Sequence, residues 1–297
     1  MIATRLRFRI AALAIALVAT SGFGCGHLLF FPSRELRITP SEIGVSYDDV
    51  FFESADGTHL HGWWLPSRRP VTVAGSDPDA ALSPTVLFVH GNAGNLGSHL
   101  GGVYWLPSRG YNVFLFDYRG FGRSDGKADL PGAYEDTRAA LRAVAARADV
   151  DRERLFLLGQ SIGAAVALPA AASLREEIAL RALVIDSAPS DFRDIAREKL
   201  GSFWLTWPLQ WPLSLTIPGR PRPLDAVAVL DGTRILYLHG AADEIVPLHH
   251  TQRLAAAGGA SQIIVVDGAD HVQALAEEWV RDRVVEFFAA SAAPPRQ

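Results

Sequence analysis

The sequence predicts an α/β protein with a mostly parallel central sheet and helices on both faces. Three observations predict it. Apolar runs at Val86–Val89, Val113–Phe116, Leu155–Leu158, Leu183–Ile185, Ile235–Leu238 and Ile263–Val266 are short and continuous rather than alternating, the pattern of strands covered on both faces. Helix formers and charges fill the stretches between them, notably Tyr134–Ala148 and Leu248–Ala257. Ahead of these, Val50–Phe52 and His59–Trp64 flank Asp56-Gly57, a turn pair that favours an antiparallel hairpin.

In chain order, the N-terminus comes first. Arg5, Arg7 and Arg9 precede a stretch from Ile10 to Phe31 in which only His27 can carry charge, enough residues to cross roughly 30 Å of hydrocarbon. Residues 1–31 therefore read as a signal or membrane anchor, with the rest of the chain expected on the side away from the cytoplasm by the positive-inside tendency. Arg34 and Arg37, just beyond the run, oppose that orientation. An uncleaved anchor is expected ahead of lipidation at Cys25, which follows Gly24, and ahead of release as a soluble protein. Residues 66–84, rich in Pro, Ser, Asp and Gly, read as a surface loop. No internal repeat interrupts the remainder, so residues 32–297 are expected to form one domain.

Composition narrows the function. A chain of 297 residues with 49% hydrophobic and 20% charged residues has the makings of a large core. A net charge of −4 gives no reason to expect nucleic acid as a partner. Cys25 is the single cysteine, which excludes an internal disulfide and a cysteine-rich zinc cluster. His249-His250 are adjacent, a poor spacing for two ligands on one helix face, and are expected to be solvated. No metal and no cofactor is expected.

The chemistry concentrates at Gly159-Gln160-Ser161-Ile162-Gly163, which follows Leu155–Leu158 and precedes the small-residue helix Ala164–Leu168. In a strand–turn–helix setting, glycines on both sides let the chain turn sharply and hold the Ser161 hydroxyl at the strand's end. The backbone N–H groups that follow, Ile162 first, are then left without partners at a helix N-terminus. Ser124 lacks this setting. A general base should come from a histidine near the C-terminus, with an acid between it and the serine. His271 follows the run ending at Val266; Asp243 follows the run ending at Leu238; Asp186, Asp267 and Asp270 compete with Asp243 for the acid.

The order Ser161, Asp243, His271, each just beyond a buried strand, resembles the α/β-hydrolase family. Within it, His90-Gly91-Asn92-Ala93-Gly94-Asn95 with Asp243-Glu244-Ile245-Val246-Pro247 is similar to the membrane-associated serine hydrolases related to the ABHD13, ABHD17 and Bem46 proteins. The resemblance implies an α/β-hydrolase fold over roughly residue 30 to the end, with a small cap inserted at 190–225. It favours Asp243 over Asp186 as the acid. It places the second oxyanion N–H at Asn92, with Ala93 as its rival, beside that of Ile162. His90 and the Asp117–Ser124 loop, in which Asp117 and Arg119 brace the turn, are expected to be structural.

The expected reaction is acyl transfer from an ester or thioester to water through an acyl-enzyme, on a small-molecule or lipid-like acyl substrate. A serine rather than an aspartate at the elbow argues against haloalkane dehalogenase and epoxide hydrolase chemistry. A peptidase or amidase on the same fold, and a non-catalytic anchored binding protein, are the alternatives. In the cap, Phe203, Trp204, Trp207 and Trp211 crowd among Pro208, Pro212, Pro218, Pro221 and Pro223 with little charge. Such a segment can line an acyl path, meet a membrane interface or pack onto the body.

Overall fold

The computed structural model describes residues 29–68, 82–259 and 261–292. One sheet contains β1 (Asp48–Glu53), β2 (His59–Leu65), β3 (Thr85–Val89), β4 (Asn112–Asp117), β5 (Leu155–Gln160), β6 (Ala182–Asp186), β7 (Arg234–Gly240) and β8 (Ser261–Val266). Their spatial order is β1-β2-β4-β3-β5-β6-β7-β8. β2 pairs antiparallel with both β1 and β4, and every other pairing is parallel. Asp56-Gly57 makes the hairpin turn as expected, with Gly57 at φ 81° and the Thr58 N–H donating to Asp56 Oδ1 at 3.1 Å. The chain reverses its direction of travel across the sheet at β3, which lies between β4 and β5. Ligand sites of open α/β sheets form beyond the carboxyl ends of the strands at such a reversal.

The continuous apolar runs have a plain physical reason. Within each strand successive side chains feed opposite cores, so both parities must be apolar. Leu87, Phe114, Leu157, Leu183 and Tyr237 join the cluster beneath α1 (Leu130–Ala145), α2 (Ile162–Leu174), α5 (Pro223–Val229) and α6 (Leu248–Ala257). Their neighbours Phe88, Leu115, Leu158, Val184 and Leu236 join a second cluster with Leu96–Leu106 and α7 (Glu278–Ala292). The last run departs from expectation: Ile263 and Val265 are exposed, because β8 is the outermost strand. α2 is buried along nearly its whole length, which explains its run of alanines; a helix packed against both α1 and α5 has no room for a larger side chain.

Between β6 and β7 the cap contains α3 (Phe192–Gly201), a 3-10 turn at Trp207–Leu209 and α4 (Gln210–Leu215). Trp204, Trp207 and Trp211 are exposed. They therefore do not form an enclosed acyl channel, and ordinary packing onto the body is excluded for them.

Residues 1–28 of the expected anchor, Cys25 among them, lie outside the described residues. The last three of its residues belong to the body of the domain. The Phe31 N–H donates to Asn92 O at 2.8 Å, Asn92 Nδ2 donates to Leu29 O at 3.0 Å, and Phe30 is buried edge-on to Tyr118 and Phe121. No helix among the described residues is long and apolar enough to cross a membrane. Most of the expected 66–84 loop, residues 69–81, also lies outside the described residues.

Candidate active site

Ser161 sits between the end of β5 and the start of α2 with φ 54° and ψ −123°. That conformation strains a residue with a Cβ, by on the order of 1–3 kcal/mol, and its surroundings enforce it. The Ser161 N–H donates to Asp186 O at 2.8 Å. A Cβ on Gly159 would lie 2.6 Å from Ala164 Cα, and one on Gly163 would lie 2.1 Å from His90 O. Both glycines are thus required by close backbone approach: α2 starts hard against the end of β3.

The structure brings Ser161, His271 and Asp243 together. His271 Nε2 lies 2.8 Å from Ser161 Oγ, and its Nδ1 lies 2.8 Å from Asp243 Oδ2. An ionised carboxylate only accepts, so Nδ1 carries the hydrogen and Nε2 is left to accept the serine O–H. His271 is fixed from its own loop as well: its N–H donates to Asp270 Oδ1 at 2.7 Å, and Val272 beside it has φ 53°.

The Asp243 side chain is fully buried, and its Oδ1 accepts the N–H groups of Ile245 and Val246, each at 2.9 Å. Burial by itself would raise this carboxyl. The hydrogen bond from His271, those from Val246 and Ile245, and attraction to His271 overcome it and hold Asp243 below the usual carboxylate range. The loop is braced by a residue the motifs did not single out. His239, buried at the end of β7, has Nε2 2.9 Å from Val246 O and Nδ1 2.8 Å from Thr251 Oγ1. Burial lowers its pKa and keeps it neutral in that role.

Asp186 does not reach His271. Its carboxylate accepts Gln160 Nε2 at 3.0 Å and the Ser187 hydroxyl at 3.2 Å. Burial pushes this carboxyl up to about 6, against the lowering effect of those two bonds. A carboxyl raised in the folded state favours folding at low pH, where it stays protonated, and that contribution is lost as pH rises through about 6. Buried His239 and His250, both lowered by burial, pull the other way in the same window. The clean readout is therefore the difference between wild type and Asp186→Asn. The wild type should gain about 1 kcal/mol relative to the variant between pH 7.5 and pH 5; parallel urea melts across that range would contradict the assignment.

Asn92 is half-buried and follows Gly91, where a Cβ would lie 3.8 Å from Ser161 Cβ. The loop after β3 thus borders the serine. Ile162 opens α2, so its N–H belongs to the first turn that a helix leaves without an internal partner. His90 is buried, with Nδ1 2.7 Å from Gly91 O and its ring stacked on His99, a structural placement. Ser124 is buried and donates to Asp117 O at 2.7 Å while accepting the His61 N–H at 2.9 Å. Asp117 accepts the Leu96 N–H at 2.8 Å, and Arg119 grips buried Asp136 at 2.7 Å and Asp56 at 2.8 Å, the expected bracing.

One expectation is corrected. His250 is fully buried rather than solvated, because its Nδ1 meets Ser190 Oγ at 2.9 Å and its Nε2 meets Glu198 Oε2 at 3.3 Å. Among the described residues, Glu198, His249 and His250 have donor atoms close enough together to hold a metal ion. These atoms are bonded to one another where α3 meets α6, and none of them contacts Ser161, His271 or Asp243.

A serine on a strained strand-to-helix turn, with an acid and a histidine beyond later strands of this sheet order, defines the α/β-hydrolase class. Residues 84–208 match the family model described as alpha/beta hydrolase fold. The chain is 36% identical over 263 residues to the YfhR protein of Salmonella typhi, covering 84% of this chain and 82% of that one. It is 28% identical to the bem46 protein of Schizosaccharomyces pombe, over 80% of this chain and 76% of the relative. The chain belongs to the α/β-hydrolase superfamily. The fold is shared with the esterase Pf2001 of Pyrococcus furiosus, at a TM-score of 0.68 and 22% identity over 89% of this chain and all of that one.

Proposed function

We propose that the protein is a serine hydrolase that moves an acyl group from an ester or thioester to water. The observation that carries this reading is the unbroken chain of contacts from Ser161 Oγ through His271 to Asp243, at 2.8 Å in both steps. His271 Nε2 takes the hydroxyl proton as Ser161 Oγ attacks the carbonyl carbon. The N–H groups of Ile162 and Asn92 receive the charge that develops on the carbonyl oxygen, each worth about 10²–10³ in rate. The intermediate collapses, the alcohol or thiol leaves with the proton from His271, and the acyl group remains on Ser161. Water then attacks, His271 accepts its proton and returns one to Ser161 Oγ, and the acid departs. Asp243 stays ionised throughout, holding the ring orientation and stabilising the imidazolium. The esterase among the structural neighbours agrees with this chemistry. The apolar run at residues 10–28 supports attachment to a membrane, with the catalytic domain on the side away from the cytoplasm, and a lipid-like acyl substrate fits that setting.

The test is a substrate panel: p-nitrophenyl esters from acetate to dodecanoate, a matched acyl thioester and a matched acyl anilide. Esters and the thioester should be turned over at least about 10²-fold faster than the anilide, since the anilide is a far poorer leaving group. Preference for the anilide would make the protein an amidase, and no turnover of any member would remove the hydrolase reading.

A further inference from the structure

From Leu200 to Gly219 the cap contains no Asp, Glu, Lys, Arg or His, and Lys199 and Arg220 stand at its two ends. A charge-free stretch of that length is ordinarily buried, yet the fold turns its largest side chains outward. Phe203, Trp204, Leu205, Trp207, Trp211 and Leu215 are 50%, 78%, 59%, 60%, 61% and 61% exposed. The inward face is served by Ser214 and Ile217, which are buried. Arg197 lies over the Trp211 ring at 4.6 Å, so a cation also borders the apolar face. Aromatic rings beside aliphatic side chains match the boundary between lipid headgroups and acyl chains, and the charges that border them are of both signs, Arg197 being paired with Asp194 and Glu198 standing beside them.

The sequence of the N-terminal run, and the point at which the chain enters the domain, say what covers this face. Twenty-eight residues precede Leu29, and those from Ile10 to Leu28 include no Asp, Glu, Lys or Arg. The chain enters the domain at the loop after β3, where Asn92 Nδ2 holds Leu29 O and Asn92 O accepts the Phe31 N–H. The cap leaves the sheet after β6, and Lys199 Nζ bonds to Glu244 O in the loop that carries Asp243. Both attachments lie at the carboxyl edge of the sheet. In the spatial order β3-β5-β6, Ser161 at the end of β5 falls between them.

We propose that the cap face from Phe203 to Leu215 docks on the phospholipid bilayer that the N-terminal run enters, and so holds the Ser161 site at the lipid surface. This rests on the acyl-hydrolase reading and adds the source of the substrate: an acyl lipid drawn from the membrane rather than from water. The cap does not cross the bilayer; its rings sit at headgroup depth, with exposed Arg220 at the phosphates.

The test uses the full-length chain reconstituted in phosphatidylethanolamine–phosphatidylglycerol vesicles containing a lipid brominated high on its acyl chains. Tryptophan emission should be quenched in the wild type, and most of that quenching should vanish when Trp204, Trp207 and Trp211 are all replaced by Ser. Hydrolysis of a long-chain ester embedded in the vesicles should fall about tenfold or more, one decade per 1.4 kcal/mol of lost docking, while a soluble acetate ester is turned over within about twofold of wild type. Equal quenching in both proteins overturns the proposal, as does an equal loss on both substrates. A concentration-dependent dimer that the triple variant abolishes, without quenching, gives the face to a second copy instead. Quenching does not depend on catalysis, so failure of the hydrolase reading shows separately, as a wild type inactive on the acetate ester.

Discussion

Ser161→Ala is expected to reduce ester turnover by about 10⁴–10⁶-fold while the protein stays folded. The residue is half-buried, and among the described residues its hydroxyl meets His271 alone, so little packing is lost with it. His271→Ala should cost about as much, and Asp243→Asn about 10³–10⁴-fold, because an amide in place of the carboxylate stabilises the wrong imidazole tautomer. The double and triple variants should be scarcely worse than Ser161→Ala, since the three groups act as one unit. Asp186→Asn separates the competing acids. Its carboxylate serves Gln160 and Ser187 rather than His271, so turnover should persist. Steady-state rates on one soluble ester, with circular dichroism on each variant, check the series. Activity surviving in Asp243→Asn but lost in Asp186→Asn would move the acid to β6.

The second large effect is on the elbow itself. Gly163→Ala would place a methyl 2.1 Å from His90 O and 2.3 Å from Val89 O. Both neighbours are backbone atoms at the end of a central strand, so no side-chain rotation relieves the clash. Either α2 moves away from β3 or the strand yields, and in both cases Ser161 and the Asn92 loop separate. The expected loss is about 3 kcal/mol or more of stability, at the upper end for overpacking, together with most of the activity. By contrast Gly101→Ala adds a methyl to open space and should be nearly neutral in urea melts. A Gly163→Ala protein as stable and active as wild type would mean that the close approach of α2 to β3 is not required.

How far the sequence was legible follows from where the signals are local. The inner strands announced themselves because each feeds two cores, and the elbow because glycine, serine and glycine stand between a strand and a helix. Asp243 and His271 were legible from chain order and family likeness, each just beyond an apolar run. Long-range placement was not legible. Phe30 looks like the end of an apolar leader until Tyr118 and Phe121, far along the chain, receive it. His250 looks solvated until Ser190 and Glu198 close over it. His239 carries no motif, and its bracing of the Asp243 loop depends on Val246 and Thr251 lying beside it. The cap tryptophans read equally well as core, lid or interface, because residue type does not fix exposure; their outward orientation removes the core reading.

The most direct test of the central claim is to treat the folded full-length protein with a fluorophosphonate and map the adduct by peptide mass spectrometry. A serine activated by His271 should be phosphonylated at Ser161 alone, in step with loss of esterase activity, and His271→Ala should block labelling. Stoichiometric loss of activity with the adduct on another residue, or an active enzyme that leaves Ser161 unlabelled, would contradict the account.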